Sequence, residues 1–264
     1  MTSTNIARVS IAALLLVNLC ATRAQAETIR VGPPPARMNL LESGSHRYLR
    51  YSVKDGKRMA RDIWDRTISF EIKDGHHLLH ITQRWDEVNV APGKPSLIEQ
   101  DSWFEATSFK PITQTRRVTT ETGVKITGYK FLADRAVGTN DLPDNQDASF
   151  SLSYSEPPFN FEYDMEMFQV LPLRDGYEAN IPFLDVGIDK KADRYTFKVA
   201  GSDRIAGWDG RPVDCWVLTS DYNTGAVRTH WWLDKKSQIV IREESKLDDG
   251  STFIKTLLPP EAAD

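Results

Sequence analysis

Imidazoles are the commonest protein ligands for zinc, and three of the five histidines in this chain, His76, His77 and His80, fall within the run HHLLH. A metal needs those rings to converge on one point, which a helix allows at positions four apart. The zinc-hydrolase pattern on such a helix places a glutamate at the second position as general base. Here that position is His77. The residues just before the run decide the matter: Asp74-Gly75 favours a two-residue type I′ turn, in which both positions take positive φ.

With that turn, WDRTISFEIK and HHLLHITQRW pair as an antiparallel hairpin. One face carries Ile72 with His77, Phe70 with Leu79, Ile68 with Ile81, Arg66 with Gln83 and Trp64 with Trp85. The other carries a Thr67–Thr82 pair and an Asp65–Arg84 pair of opposite charge. A slip of one residue would put Glu71 and Arg84 into the apolar stripe. Strand side chains alternate, so His77 faces away from His76 and His80, and those two stand roughly 13 Å apart along the strand. The histidines are expected to hold no metal.

Other reactive groups have weaker patterns. The chain has no G-x-S-x-G elbow and no glycine-rich phosphate loop. Glu162, Asp164 and Glu166 form an acidic group that is expected to face solvent from a helix. Asp141, Asp144 and Asp147 lack the spacing of an EF-hand. His230 lies between strand residues beside Trp231 and Trp232. Cys215, within VDCWVL, reads as a small buried apolar residue. No catalytic residue, metal ligand or cofactor is expected, and an extracytoplasmic hydrolase with dispersed residues is the rival reading.

The elements that position these residues follow one grammar. A Pro-rich, extended lead-in (27–45) precedes strands joined by short turns over 46–258, with a tail at 259–264. ITQTRRVTT turns at 121–123 into VKITGYKFLA, by a two- or three-residue loop. PVDCWVLTSDY and VRTHWWLD oppose Leu218 to Trp231 and Asp221 to Arg228. An Asp249-Gly250 turn between QIVIREESKL and TFIKTLL opposes Glu244 to Lys255. Strands without intervening helices imply an antiparallel meander. DRAVGTNDLPDNQD (134–147) reads as a polar mobile loop. One helix is predicted, near 160–171: Phe161, Met165 and Phe168 share a face, Asn160 caps the start and Pro172 stops it. The fold class expected is mainly β, a single strongly curved antiparallel half-barrel whose concave face is covered by that helix.

Arg8, the apolar run 11–20 and Ala24-Gln25-Ala26 have the layout of a cleaved export signal, residues 1–26. A lipid-anchored start at Cys20 is the alternative, with Leu19 a bulky neighbour for such a site. Cleavage would remove two of the 33 basic residues and none of the 37 acidic ones, leaving a charge of about −6. That argues against nucleic acid, which demands a basic stripe. Only Cys215 would remain, so no internal disulfide forms. The expected location is periplasmic or secreted, without an integral membrane span in the mature chain.

Seven tryptophans are enough to fill a core or to line a groove. The ending HWWLDKKSQIVIREESKLDDGSTF, through Trp232, Asp234, Arg242, Asp249 and Gly250, resembles bacterial exported lipoprotein-carrier-like (LolA/LppX-like) half-barrels. VLPLRDGYEANIPF and VAGSDRIAGWDGRPVDCWVL are similar to a branch of that superfamily known only as an uncharacterised exported domain. The resemblance covers about residues 100–258. It implies an open sheet wrapped around a helix, a lipid or lipoprotein acyl chain in the concavity, and no catalytic residues. Ile239-Val240-Ile241 departs from the pattern where a proline is common. The expected function is non-catalytic binding of a hydrophobic ligand or an envelope partner, with Leu79, Ile81, Trp85, Phe161, Met165 and Phe168 as cavity or lid residues. A structural or assembly protein with a filled core is the alternative.

Overall fold

A computed structural model describes residues 26–88 and 90–260, so the export signal lies outside the described residues apart from Ala26. A short β1 (Glu27–Thr28) leads to a first meander: β2 (Gly44–Lys54), β3 (Lys57–Lys73), β4 (His76–Glu87), β5 (Leu97–Glu105), β6 (Pro111–Thr120), β7 (Gly123–Phe131), β8 (Arg135–Gly138) and β9 (Ser151–Ser153). After β10 (Phe159–Asn160), a 3-10 turn (Phe161–Tyr163) and helix α1 (Asp164–Val170) comes a second: β11 (Glu178–Leu184), β12 (Asp193–Ala206), β13 (Pro212–Ser220), β14 (Thr229–Asp234), β15 (Val240–Lys246) and β16 (Thr252–Leu257).

The two meanders form one sheet because β16 pairs with β2, from Leu257 against Tyr48 to Thr252 against Val53. Every neighbouring pair is antiparallel except the two-residue β1 and β10, which run parallel to β11. The sheet is thus a single open, curved antiparallel sheet with one short α-helix on its concave side. A second apolar cluster joins its two ends, Tyr129, Phe131 and Ala136 packing with Leu184 and Val186.

The β3–β4 register is the expected one along its whole length, from Asp62 opposite Glu87 to Lys73 opposite His76. Asp74 and Gly75 have φ of 52° and 78°, as a type I′ turn requires. Its concave face is buried at Trp64, Arg66, Ile68, Leu79, Ile81, Gln83 and Trp85, while Phe70 and Ile72 at the tip project beyond the core. Leu218 opposes Trp231, again as expected. The β6–β7 turn is the two-residue one, with Thr120 opposite Gly123.

Two expectations need correction. The β15–β16 register is shifted by one: Lys255 opposes Glu243, not Glu244. Gly250 at φ 81° closes a longer loop in which the Leu247 N–H donates to the Ser251 carbonyl. Parity then turns Lys255 inward, where its ammonium sits 2.6 Å from Glu243 and 4.5 Å from the centre of Trp64. Residues 134–147 are not a loose loop: they begin with β8, and Asn145 bonds Gly128 through both its N–H and its carbonyl and also bonds the Thr139 carbonyl.

Helix α1 occupies the predicted place. Asn160 Oδ1 accepts the Glu162 N–H at 3.1 Å, which caps the 3-10 turn that starts it. Its far end is held from the β14–β15 turn: Gln238, fully buried, donates to the carbonyls of Phe168, Gln169 and Leu171. The Gln169 carbonyl left over by the helix end is thereby satisfied, while those of Phe168 and Leu171 also accept the N–H groups of Leu171 and Leu173. The departure from the family pattern at Ile239-Val240-Ile241 also has a structure. A bulge places Trp232 opposite Arg242 and Leu233 opposite Val240, leaving Ile241 as the extra residue.

Candidate functional site

The polar groups that face inward determine how the helix docks. Arg66, Gln83, Gln100 and Arg116 are successive cross-strand partners on β3 to β6. That polar row meets the acidic side of α1. Arg66 forms a bidentate pair with Glu166 and donates to the Glu162 carbonyl at 2.7 Å. Gln83 donates to the same carbonyl, and Arg116 pairs with Glu162 at 3.2 Å. Arg66 and Glu166 are almost fully buried. The expectation that Glu162, Asp164 and Glu166 face solvent is therefore corrected. The helix lies inside the sheet's curve, so its polar side also meets protein.

Five of the six predicted cavity and lid residues sit in the continuous apolar core: Leu79, Ile81 and Trp85 from β4, Met165 and Phe168 from α1. Leu79, Ile81 and Phe168 have no exposed surface. Phe168 packs on Phe197 and Trp231, ring centres 4.8 and 5.1 Å away, across the concavity from β4. The helix and these side chains fill the middle of the groove.

Phe161, the sixth, is half-buried and lines an open pocket of about 370 Å³ with Tyr195, Tyr222, Asp185 and Asp189. Three elements supply them: the start of the helical segment, the β11–β12 turn with β12, and the turn after β13. Phe161 and Tyr195 stand edge to face at 90° and Tyr195 and Tyr222 at 76°, while Phe161 and Tyr222 are tilted at 42°, centres 5.4–6.1 Å apart. Tyr222 is held at φ 47° and Asn223 at φ 62°, a conformation seldom adopted by a bulky residue. The β11–β12 turn is tied on itself: the Asp185 N–H donates to Asp189 Oδ2 and the Asp189 N–H to the Asp185 carbonyl, both at 2.8 Å. Gly187 at its tip has φ 84°, and a side chain there would stand 2.2 Å from the Tyr129 hydroxyl.

Charge in this region is predominantly negative. Burial and the Glu162 and Asp189 carboxylates push Asp185 up to about 7, with Arg116 opposing. Asp185 Oδ1 is buried and meets no donor among the described residues. Burial likewise raises Asp164 to about 7; Glu243 and Glu166 add to the rise, while Lys255 and Arg66 oppose it.

A carboxyl whose folded pKa exceeds its unfolded value of about 3.9 keeps a proton in the native state that the unfolded chain has already released. Its contribution is complete below about pH 4 and is lost as the pH rises through 7. The melting temperature is expected to carry a downward component between pH 5 and pH 8. Asp164→Asn, which retains the Oδ1 acceptor for the Met165 N–H at 2.7 Å, should flatten that component and be the more stable protein at pH 8. Melts in which variant and parent keep parallel slopes would refute this assignment.

The other reactive groups are held in structural contacts. His80 bridges Glu71 (3.2 Å) and Asp101 (2.7 Å) through its two ring nitrogens and stacks on Trp103 at 3.9 Å. Ser69 opposes it across the strands, but the Ser69 hydroxyl bonds Glu71. Both imidazole nitrogens thus face carboxylates and not that serine. Cys215 is buried, and its thiol is pushed up to about 12 by burial and nearby Asp234, Asp203 and Asp214. Asp141 pairs with Lys130 and Asp147 with the Tyr129 hydroxyl, so those carboxylates do not converge. His230 lies in β14, 6.0 Å from Trp232. Larger grooves of about 490 and 630 Å³ lie elsewhere, one lined by Asp65, Arg84, Glu99 and Arg117, the other by the β3–β4 turn. The first is a carpet of charge and threonine across the strands, unlike the apolar lining with few converging polar groups typical of ligand sites.

Residues 47–258 match the family described as "Protein of unknown function (DUF3108)". Among solved structures the chain is similar to a DUF1089 family protein from Pseudomonas aeruginosa, at 13% identity and TM-score 0.36 over 67% of this chain and 87% of that one. It is similar also to a DUF1329 family protein from Desulfovibrio piger, at 12% identity and TM-score 0.30 over 86% and 90%. The hypothetical lipoprotein YmcC from Escherichia coli gives 17% identity and TM-score 0.28 over 82% and 87%. No curated protein matches.

Proposed function

We propose, from the premise that this chain belongs to the DUF3108 family, that it is an exported, non-catalytic binding protein. Its ligand is a hydrophobic molecule, or an apolar group of an envelope partner, received at the aromatic mouth beside α1. The observation that carries this reading is the open Phe161–Tyr195–Tyr222 pocket, whose rings also pack against the apolar core. Binding without chemistry accords with His80, Cys215 and Glu166 each being engaged in structural contacts. Export is supported by the layout of residues 1–26. No helix among the described residues is long and apolar enough to cross a membrane.

The filled middle of the groove favours a second reading, an assembly protein that binds nothing in its concavity. Organic extraction of protein purified from its own envelope, followed by mass spectrometry, separates the two. Binding predicts a stoichiometric hydrophobic compound that is lost in Tyr195→Ala. An empty extract from well-folded parent protein would favour the scaffold.

A further inference from the structure

We propose that the Phe161–Tyr195–Tyr222 pocket recognises an alkylammonium cation, with Asp185 and Asp189 as its counter-charges. This rests on the pocket being the binding site argued above, and adds the chemical class of the group it takes. Aromatic faces attract cations through the ring quadrupole, most strongly where water is displaced. Three rings, Tyr195 at steep angles to Phe161 and Tyr222 and those two tilted at 42° to each other, border one space of about 370 Å³. That is room for a methylated or primary ammonium head.

The carboxylates make the pocket selective for positive charge. Among the described residues neither Asp185 nor Asp189 has a Lys or Arg at ion-pair distance, whereas Glu162 nearby has Arg116. Asp185 Oδ1 is buried without a donor, so a cation held in the pocket acts on that carboxylate through space and not as its hydrogen-bond donor. An inorganic divalent ion would use the carboxylates but gain less from the three rings. An anionic head would meet both acids. Tyr222 and Asn223, both at positive φ, are the central pair of a turn closed by the Thr224 N–H on the Asp221 carbonyl, which sets Tyr222 at the pocket.

Titration calorimetry at pH 8, above the ionisation of Asp185, tests the charge directly. Choline and ethylammonium are compared with the neutral isostere 3,3-dimethylbutan-1-ol and with calcium chloride. The cations are expected to bind at least about tenfold more tightly than the isostere. Tyr195→Leu and Asp189→Asn should each remove that preference while circular dichroism stays native. Should Asp189→Asn loosen the turn, Asp185→Asn tests the charge separately: both turn bonds of residue 185 are main-chain, and the preference for cations should fall likewise.

Vesicles distinguish two sources of the ammonium. Co-sedimentation with phosphatidylethanolamine–phosphatidylglycerol but not with phosphatidylglycerol alone indicates a lipid headgroup. Binding only of the free amines indicates a soluble one. Equal affinity for cation and isostere would overturn the proposal and leave the hydrophobic pocket standing. Calcium binding without amine binding, or no binding at all, would also overturn it, and an empty organic extract would then remove the pocket reading as well.

Discussion

Arg66→Ala is expected to cost about 3–5 kcal/mol of stability and to lower the melting temperature by roughly ten degrees. Its guanidinium satisfies Glu166 with two bonds, Gln83 Oε1 at 2.7 Å and the Glu162 carbonyl at 2.7 Å, and lies 5.0 Å from the centre of Trp64. Removing it strands Glu166, itself almost fully buried, in a region already holding Asp164 and Glu243. The desolvation cost then has no compensating attraction. The double substitution Arg66→Met with Glu166→Met is expected to recover most of the loss, because a buried ion pair gains little over well-packed apolar groups of similar volume. Arg204→Ala provides the contrast. It breaks a 2.7 Å pair with Asp214 in which both side chains are more than half exposed and screened by solvent, and its unfolding midpoint should stay close to the parent's. Urea unfolding of the four proteins decides the matter. A mild Arg66→Ala, or a double variant as unstable as the single, would mean that the pair does not seat the helix.

That pair also marks where local reasoning about this sequence stops. The β3–β4 register was legible because Asp74-Gly75 and twelve residues of alternation agree, and parity alone separated His77 from His76 and His80. The helix was legible from Asn160, the Phe161–Met165–Phe168 spacing and Pro172. Which way its acids point was not. Their partners Arg66 and Arg116 lie 100 and 46 residues away, and an acidic helix face reads as solvated until those cations are in place. The β15–β16 register failed for a shorter-range reason. Asp248-Asp249-Gly250 suits both a two-residue turn on Asp249-Gly250 and the longer loop found, and one residue decides whether Lys255 is surface or interior. The pairing of β16 with β2, which joins the two meanders, involves no local signal. Asp185, Asp189, Tyr195 and Tyr222 come from separate turns and a strand, so only Phe161 among the pocket residues was read in advance. An Asp-x-x-x-Asp turn beside a tyrosine-bearing strand was the one trace in the sequence.

Phe168→Asp is expected to abolish cooperative folding of the entire sheet, not merely to release the helix. Phe168 has no exposed surface and touches β12 and β14 through Phe197 and Trp231, while Gln238 holds the carbonyls just beyond it. A carboxylate there replaces an aromatic side chain whose loss alone costs about 3–5 kcal/mol, and adds the penalty of a buried charge without a cation beside it. The sum approaches the whole stability of an ordinary domain. Phe168→Leu, which keeps most of the apolar volume, should fold with a modest loss. The distinction bears on mechanism. If α1 were a detachable lid over a cavity, Phe168→Asp would leave the β signal in circular dichroism intact and open the groove to an apolar dye. If the helix is the core around which β3, β4, β12 and β14 curve, the β signal and the tryptophan emission of Trp64, Trp85 and Trp231 should fall together at far lower urea than in the parent. The joint loss is expected, because the same buried cluster contains residues from the helix and from both meanders. Under the proposed binding function, ligand exchange would then use the Phe161–Tyr195–Tyr222 mouth, where side chains remain half-exposed, without the helix leaving its seat.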